Sequence, residues 1–453
     1  MSVEGPDLVV AGAGGGLLAA LRGASLGLSV LVVERDEFFV HGNNTAMSTA
    51  MIPGAGTHWQ REAGIDDSAA TFLADIMAKT GGQADARVAR ALAEVSARMV
   101  EWLAAEAGVP LSLVTDFPYP GHSQLRCHSI PGRSGADFLS GLVRQVRRAP
   151  SIDLMTTGSL VEIGTDEAGV NGVVIDTPSG RERIATRAVL LATNGFGADH
   201  ELVEQHIPEI AGATYHGSAG STGDALRLGR GLGGQTAFLD AYQGHAALST
   251  AAATLVGWAT VMHGGILVDR AGRRFGDETA GYSEYAARVL EHASGHAWIV
   301  LDERIKQACL PFQDFRDTVE SGVLRSGHDP EELARSCGID PDGLVATMAQ
   351  AGACAEDGAE DPWGRRSWEE ALTSPYYAVA VQPALFHTQG GLVVDEHARV
   401  LSAVGPIDGL YASGGAAAGI SGHGASGYLA GNGLLPALGL AFLCAEHVAG
   451  WQT

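Results

Sequence analysis

The chain has 453 residues, of which 46% are hydrophobic, and its length and core-forming content predict two domains. Its 52 acidic residues outnumber 29 basic ones, and the formal net charge of −23 excludes phosphate backbones and anionic membrane surfaces as expected partners. Five scattered cysteines without CxxC spacing, and no apolar run of roughly 20 residues, predict a reduced, cytoplasmic, soluble protein without haem, cluster or membrane span.

The first element is a strand at residues 7–11, followed by a glycine turn, a helix to about Gly27 and a second strand at residues 29–33. Glycines in such a βαβ unit let the backbone approach a pyrophosphate at the helix N-terminus. Glu34, directly after the second strand, can accept a ribose hydroxyl. Leu17 stands where the third glycine of the dinucleotide fingerprint is expected. The unit therefore predicts dinucleotide binding.

A small, polar stretch, HGNNTAMSTAMIPGAG, comes next, and a long helical region is predicted over residues 68–107. An insertion at this point favours a flavin over a nicotinamide cofactor. Short strands resume near residue 151, and AVLLATNGFG predicts a buried strand that runs into a second glycine turn. The pattern changes to mixed strands and helices from about residue 241, which predicts an inserted domain over residues 241–383. The first domain then comprises residues 1–240 and 384–453.

A glycine-rich loop precedes the C-terminal helix in GLYASGGAAAGISGHGASGYLAGNGLLPALG. Glycine at this density brings backbone N–H groups close to something other than protein. The apolar run after it has helical spacing with a proline in its first turn, so the loop delivers a helix N-terminus to a bound anionic ligand.

These motifs, in this order, resemble the flavoprotein superfamily of fumarate reductase and succinate dehydrogenase, which includes the 3-ketosteroid dehydrogenases. The resemblance rests on GAGGG with Glu34, NNTAMSTAMIPG, LLATNGFG, STGDA, GRRFGDE, HTQGGLVVDEHARV, GLYASGG and GNG, and it covers nearly the whole chain. It implies an α/β fold, with a Rossmann-like FAD-binding domain, an inserted α+β substrate-capping domain and an active site between them. Asn44 stands before Thr45 where members with covalent flavin have histidine, so the resemblance implies non-covalent FAD. Gly415 replaces an acidic or amide residue of many members.

The FAD contacts implied by the resemblance are spread over the whole first domain. They are Gly12, Gly14, Gly15, Gly16, Glu34, Asn44, Thr45, Ser48, Thr49, Ala192, Thr193, Asn194, Gly195, Asp224, Gly414, Asn432 and Leu434.

The resemblance also implies hydride transfer between a substrate carbon and the flavin. The two arginines with which fumarate reductases transfer a proton and hold a carboxylate are absent, and Tyr282 and Tyr428 stand at those places, with Leu429 a rival for the second. A tyrosine offers one neutral donor, which suits a ketone oxygen, whereas an arginine fork suits a carboxylate. With Tyr428 and the Gly433 N–H at the ketone oxygen and Tyr282 as base, the sequence predicts α,β-desaturation of a ketone.

Two histidines favour a substrate that carries a carboxylate, because His387 and His128 resemble the carboxylate-binding histidines of fumarate reductases. The substrate is therefore expected to be a cyclic ketone or a keto acid, as for 4-oxocyclohexanecarboxylate desaturases, with Tyr119 a further wall or relay residue. An external electron acceptor, such as oxygen, a quinone or an artificial dye, is implied. His41 and His58 lack a matching ligand set, so no metal is expected. The alternatives are reduction of an unsaturated acid and a flavin-binding protein without turnover.

Overall fold

A computed structural model describes residues 5–116 and 119–452. The helices, in chain order, are α1 Gly16–Ser25, α2 Phe39–Gly42, α3 His58–Glu62, α4 Ala69–Lys79, α5 Ala86–Ala105, α6 Gly135–Val146, α7 His200–His206, α8 Asp224–Gly231, α9 Ala259–Met262, α10 Tyr282–Ala293, α11 Glu303–Cys309, α12 Gln313–Glu320, α13 Pro330–Cys337, α14 Pro341–Glu356 and α15 Leu434–Ala449. The strands are β1 Leu8–Ala11, β2 Val30–Glu34, β3 Ile52–Pro53, β4 Ser112–Leu113, β5 Cys127–Ser129, β6 Ile152–Thr156, β7 Ser159–Asp166, β8 Gly169–Thr177, β9 Gly180–Ile184, β10 Val189–Leu191, β11 Thr214–Tyr215, β12 Thr236–Ala237, β13 Tyr242–Ser249, β14 Ile266–Val268, β15 Ala297–Asp302, β16 Arg325–Gly327, β17 Tyr376–Thr388, β18 Gly391–Leu392, β19 Arg399–Ser402 and β20 Gly405–Ala412.

A six-stranded sheet in the order β19-β20-β10-β1-β2-β6 forms the centre of the first compact unit. Its strands are parallel except for β19, which pairs antiparallel with β20. Ala11, the last residue of β1, lies opposite Val33 on one side and Leu191 on the other. All residues of β1 and β10 are buried, which is why their sequences are continuous apolar runs. The carboxyl ends of β1, β10 and β20 therefore lie side by side, where open parallel sheets bind ligands.

The chain divides into two compact units. The first comprises Met1–Ile207, Gly217–Gln243 and His387–Thr453, and the second comprises Pro208–His216 and Gly244–Phe386. In the second unit, β17 pairs with β11, β13, β15 and β16, and β14 extends the sheet beyond β15. The sequence-based boundary places residues 208–216 in the first domain. In the structure, Thr214 and Tyr215 pair with β17, so this segment belongs to the second unit.

The helical region predicted at residues 68–107 is two helices, α4 and α5. Gly81 and Gly82 follow α4 with φ angles of +59° and +80°, a conformation that ends the helix. Asp85 then accepts hydrogen bonds from the backbone N–H groups of Arg87 and Val88 and caps α5.

Among the helices of the described residues, none is long and apolar enough to cross a membrane. Within the same residues, no group of three or more histidine, cysteine, aspartate or glutamate side chains could hold a metal ion. The cytoplasmic location stays a prediction.

Candidate active site

Three glycine turns of the first unit meet where β1, β10 and β20 end. A Cβ atom on Gly12, which has a φ of +105°, would lie 2.3 Å from the carbonyl oxygen of Ala192. A Cβ on Gly15 would lie 2.5 Å from the Ala437 oxygen of α15. The turn after β1 is thus pressed against both the turn after β10 and the last helix.

The N-terminus of α1 is placed by close packing of Gly16. A Cβ on this residue would lie 2.5 Å from Cγ1 of Val10, so the glycine lets α1 approach β1. This is the helix–strand role of the third fingerprint glycine. Leu17, which the sequence puts at that place, is fully buried beside it.

Glu34 and Thr45 flank the first glycine turn. The Glu34 carboxylate accepts hydrogen bonds from the backbone N–H groups of Ala13 at 2.8 Å and Asp36 at 3.0 Å. These bonds fix the carboxylate at the end of β2. A Cβ on Gly14 would lie 3.0 Å from Oγ1 of Thr45, so the loop after α2 closes over the turn.

The loop that contains Asn44, Thr45, Ser48 and Thr49 is held by its own polar groups. The Asn44 side chain accepts from the Ser218 N–H at 2.7 Å. The Ser48 hydroxyl donates to the Thr45 carbonyl oxygen at 2.7 Å, and the Thr49 carbonyl accepts from the Ser129 hydroxyl at 2.9 Å. The predicted flavin loop is therefore preorganised.

The turn after β10 and the turn after β20 interlock through Asn194. This residue has a φ of +65°, which asparagine tolerates better than most residues. A Cβ on Gly415 would lie 2.5 Å from Oδ1 of Asn194, and one on Gly195 would lie 1.9 Å from Oγ1 of Thr388. The Asn194 side chain thus occupies the space in which a side chain at position 415 would begin, which explains the glycine found there. Gly414, in the same turn, has a φ of +60°.

Asp224, which the resemblance implies as a cofactor contact, takes part in two ion pairs. It begins α8, and its two carboxylate oxygens pair with the guanidinium groups of Arg35 and Arg227. These hydrogen bonds outweigh burial and lower the pKa of Asp224. Both oxygens are engaged by arginine, so the geometry favours a structural ion pair; a role in cofactor binding stays a prediction.

Tyr428, Gly433 and His387 lie together in the first unit. The Gly433 N–H donates to the Tyr428 hydroxyl oxygen at 3.2 Å, and a Cβ on Gly433 would lie 2.9 Å from Nε2 of His387. The His387 and Tyr428 rings are edge to face, with centroids 5.9 Å apart. Burial lowers the pKa of His387 to about 4, so the ring is neutral at pH 7. Leu429, the rival of Tyr428, is fully buried.

His128 and Tyr119 both belong to the region around β5. His128, on β5, has no exposed surface, and its Nε2 lies 3.0 Å from the Thr57 hydroxyl. A substrate ligand must be reachable, so this geometry favours a core histidine. Tyr119 is half-buried and packs against a small cluster of Met51, Val114 and Cys127. The roles of both residues in the reaction stay predictions.

Tyr282 is the first residue of α10 in the second unit. It follows Gly281, whose φ of +145° is accessible to glycine. Its ring stacks on His245, with centroids 4.8 Å apart and planes at 22°, and meets Trp258 at an angle of 65°. The His245 ring also stacks on the Phe386 ring, with the two centroids 5.4 Å apart. The tyrosine is thus held between aromatic rings at a helix N-terminus.

Comparison with known proteins identifies the family. The family model described as an FAD binding domain matches residues 7–434. The chain belongs to this FAD-binding family. The flavoprotein is 29% identical over 423 residues to the NADH:fumarate oxidoreductase of Klebsiella pneumoniae (strain 342), a match that covers 92% of this chain and 45% of that protein. The chain therefore spans less than half of that relative.

Two further matches cover nearly the whole of both proteins. The 4-oxocyclohexanecarboxylate 2-dehydrogenase of Sinomonas cyclohexanicum is 28% identical over 536 aligned positions, covering 94% of the flavoprotein and 92% of the relative. The 3-ketosteroid Δ1-dehydrogenase structure from Sterolibacterium denitrificans has a TM-score of 0.78 at 22% identity, covering 98% and 99% of the two chains, and shows the shared fold. The predicted family, an FAD-dependent oxidoreductase, and its FAD cofactor are confirmed.

The residues of the three turns fit an FAD molecule. Among the described residues, buried side-chain atoms without a hydrogen-bond partner include Oγ1 of Thr193, Oγ of Ser413 and Oδ1 of Asn432. All three belong to the segments that the glycine turns bring together. A buried polar atom without a partner costs about 1–3 kcal/mol, and the many donors and acceptors of a dinucleotide can satisfy such atoms.

Three groups of residues that shape the site were not predicted from the sequence. His245, between Tyr282 and Phe386, had no motif to mark it. Gln389 donates to Nδ1 of His387 at 3.0 Å, and the signal for it was its place two residues after the histidine in HTQGG. The third group is a buried ion cluster, signalled by Arg274 and Glu278 in GRRFGDE, which lies just before Tyr282.

The ion cluster anchors the segment that leads into α10. Arg274 donates two hydrogen bonds of 2.8 Å to the fully buried Glu278 carboxylate, which also accepts from Arg365 at 3.3 Å and from the Leu267 N–H at 3.2 Å. Glu278 opens the turn that ends at Gly281. The cluster therefore holds the segment that leads to Tyr282 within the second unit.

Proposed function

We propose that the flavoprotein dehydrogenates a ketone between its α and β carbons, the substrate being a cyclic ketone or a keto acid. The first unit acts as a Rossmann-like domain that holds non-covalent FAD, and the second acts as the substrate-capping domain. The observation that carries the proposal is the convergence of the Tyr428 hydroxyl and a neutral His387 ring at Gly433, whose N–H donates to the Tyr428 oxygen.

Neutral donors are suited to a ketone oxygen. As the α proton leaves, negative charge develops on that oxygen, and a preorganised donor stabilises it by about 3 kcal/mol in known oxyanion holes. A carboxylate in the place of the ketone oxygen would need charged donors, and the sequence contains neither arginine nor lysine after Arg399. The C-terminal loop therefore offers no arginine or lysine to the substrate.

Tyr282 removes the α proton in this proposal. Its position at the first residue of α10 favours the phenolate, because the positive end of the helix dipole stabilises a negative charge there. The α carbon gives its proton to the Tyr282 oxygen, a hydride leaves the β carbon, and a C=C bond forms between the two carbons. FAD supplies the hydride acceptor when bound. An external acceptor, such as oxygen, a quinone or an artificial dye, then takes the two electrons.

The relatives support two directions of the same chemistry. The name of the Sinomonas enzyme describes dehydrogenation of a cyclic keto acid, which agrees with the neutral site. The name of the Klebsiella enzyme describes fumarate oxidoreduction, and this favours reduction of an unsaturated acid as the second candidate. The loss of arginine from the terminal loop is our reason for preferring the first.

Anaerobic mixing of the purified yellow protein with substrates tests the proposal. A saturated cyclic ketone, such as cyclohexanone or 4-oxocyclohexanecarboxylate, is expected to bleach the flavin absorbance and to yield the corresponding enone by mass spectrometry. Cyclohexanol serves as the matched control, because it lacks the carbonyl oxygen that the neutral donors hold.

Each other outcome overturns the proposal in a specific way. Bleaching by no ketone, together with reoxidation of chemically reduced flavin by fumarate, assigns the reductase direction. Silence in both directions assigns a flavin-binding protein without turnover.

A further inference from the structure

A chain of buried amide and hydroxyl groups ends on the His387 ring. Gln389 Nε2 lies 3.0 Å from His387 Nδ1, and the Ser421 hydroxyl donates to Gln389 Oε1 at 3.0 Å. Asn432 and Asn194 each donate to the Ser421 oxygen, at 3.1 and 2.9 Å. Gln389, Ser421 and Asn432 are 5%, 1% and 0% exposed, so water does not compete for these bonds.

With the amide nitrogens of Asn432 and Asn194 directed at Ser421, the remaining bonds of this chain have one direction. A serine oxygen accepts at most two hydrogen bonds, and the two asparagine amides already supply two. The Ser421 O–H must then donate, and its acceptor is Oε1 of Gln389. The amide nitrogen of Gln389 therefore faces His387 and donates to Nδ1.

The opposite orientation of the Gln389 amide is unfavourable. It would place a third donor on the Ser421 oxygen and leave the Ser421 hydrogen without an acceptor in a buried site, which costs about 1–3 kcal/mol. The other group near Nδ1 is the Thr388 carbonyl oxygen, at 3.4 Å, which is a longer contact than the 3.0 Å bond to Gln389.

We propose that Gln389 is a positioning residue that holds His387 as the neutral tautomer with its hydrogen on Nε2, so that His387 donates to a substrate oxygen. A neutral imidazole has one donor nitrogen and one acceptor nitrogen, and the bond at Nδ1 decides which is which. Nε2 is the nitrogen that lies toward Gly433. Burial, which lowers the pKa of His387 to about 4, keeps the ring from gaining a second proton at neutral pH.

The consequence for specificity rests on the proposed function. A ketone oxygen accepts a hydrogen bond and therefore fits the Nε2–H group, as does the oxygen of the enolate that forms from it. A carboxylate would gain more from an imidazolium, which this network disfavours because Gln389 offers a donor and no negative charge at Nδ1. Gln389 thus biases the site toward a neutral carbonyl compound.

The tautomer can be measured directly by two-bond ¹H–¹⁵N correlation spectra of the FAD-loaded protein labelled with ¹⁵N-histidine. His387→Asn identifies the His387 signals among those of the 16 histidines. We expect the wild-type protein to show the Nε2–H pattern at pH 7. The Nδ1–H or doubly protonated pattern in the wild-type protein overturns the proposal, and no variant at position 389 is needed for this result.

Gln389→Glu reverses the polarity at Nδ1, because a carboxylate accepts where the amide donated. We expect the His387 signals to change to the Nδ1–H or doubly protonated pattern. Gln205→Glu, at an exposed position, adds the same charge and should leave the His387 pattern unchanged. An unchanged His387 pattern in Gln389→Glu overturns the proposal.

Ligand binding provides the second readout, followed as a shift of the flavin absorbance spectrum under conditions without turnover. In Gln389→Glu the dissociation constant of cyclohexanone should rise at least tenfold, with a smaller effect for Gln205→Glu. Equal cyclohexanone affinities in the wild-type protein and Gln389→Glu would refute the specificity role. The NMR result does not depend on turnover, so failure of the tautomer proposal and failure of the ketone proposal are distinguishable.

Discussion

Two tyrosines on α10 have hydroxyl groups in very different surroundings. Tyr282 begins the helix and is half-buried against His245 and Trp258. Tyr285, one turn later, is fully buried, and its hydroxyl has no hydrogen-bond partner among the described residues. Burial raises the pKa of Tyr285, so this group stays protonated. The pair provides a test of the base with a matched control on the same helix.

Tyr282→Phe should retain FAD and lose flavin reduction by the ketone at least about 100-fold, because a positioned general base contributes about 10²–10⁴ in rate. Stopped-flow absorbance under anaerobic conditions measures the rate, and the flavin spectrum of the purified variant reports cofactor content. Tyr285→Phe removes a desolvated hydroxyl that makes no hydrogen bond within the part of the chain that the structure describes, so its rate and stability should equal or exceed those of the wild-type protein. Flavin reduction at the wild-type rate in Tyr282→Phe would eliminate Tyr282 as the base.

At the scale of elements, one buried arginine holds several segments of the first unit together. Arg126, next to β5, forms two hydrogen bonds of 2.9 and 3.0 Å with Asp67, pairs with Asp75 of α4, and lies 4.6 Å above the Phe72 ring. Its Nη1 also lies 3.3 Å from Nδ1 of His122, whose Nε2 lies 2.9 Å from the Ala430 carbonyl. The network thus extends to the loop between Tyr428 and Gly433.

Arg126→Met should lower the free energy of unfolding by about 3–5 kcal/mol, because it leaves two carboxylates in the interior without their cation. Denaturant titration followed by circular dichroism measures this difference. The matched control is Arg183→Met, at an arginine 81% exposed and 3.8 Å from Glu162, which should change the free energy by less than about 1 kcal/mol. Similar losses in the two variants would show that the buried network contributes no more than a surface pair.

Across the whole molecule, buried histidines make stability depend on pH. Burial lowers the pKa of His122 and His128 to about 4 and that of His245 to about 3. The unfolded chain, with histidine pKa values near 6.5, therefore binds more protons than the folded protein between about pH 4 and 6.5. The free energy of unfolding is expected to fall as the pH decreases through this window. Carboxylates whose pKa is lowered in the folded protein, such as Asp75, further reduce the free energy of unfolding below this pH window.

Thermal unfolding between pH 7.5 and 4.5 measures this dependence. His128→Gln, which can keep a hydrogen bond to Thr57, removes one titrating group. The slope of unfolding free energy against pH should become shallower by about 1.4 kcal/mol per pH unit in the middle of the window. The same slope in the variant and the wild-type protein would mean that His128 is protonated in the folded state.

The cofactor motifs could be predicted because each depends on contacts near in sequence. The strand at residues 7–11, the glycine turn and Glu34 form one local unit, and the structure keeps them within a residue or two of the predicted bounds. One continuous helical region was predicted over residues 68–107, where the structure has two helices. The apolar spacing does not reveal the turn at Gly81 and Gly82. The motif that contains Asp224 is compatible with a cofactor contact and with an ion pair. Its partner Arg35 is 189 residues away in the sequence, so the sequence alone does not reveal the ion pair.

By itself the sequence determined the family, the cofactor and the absence of an arginine from the terminal loop, because motifs and residue types can be read without knowing distances. The tertiary structure decided what those residues do together. It brought Tyr428, Gly433 and His387 into one cluster, buried His128 beside Thr57, and placed Gln389 where it sets the His387 tautomer. Hydrogen bonds between residues far apart in the chain, such as Asn194 to Ser421, exist only after the sheet has aligned its turns.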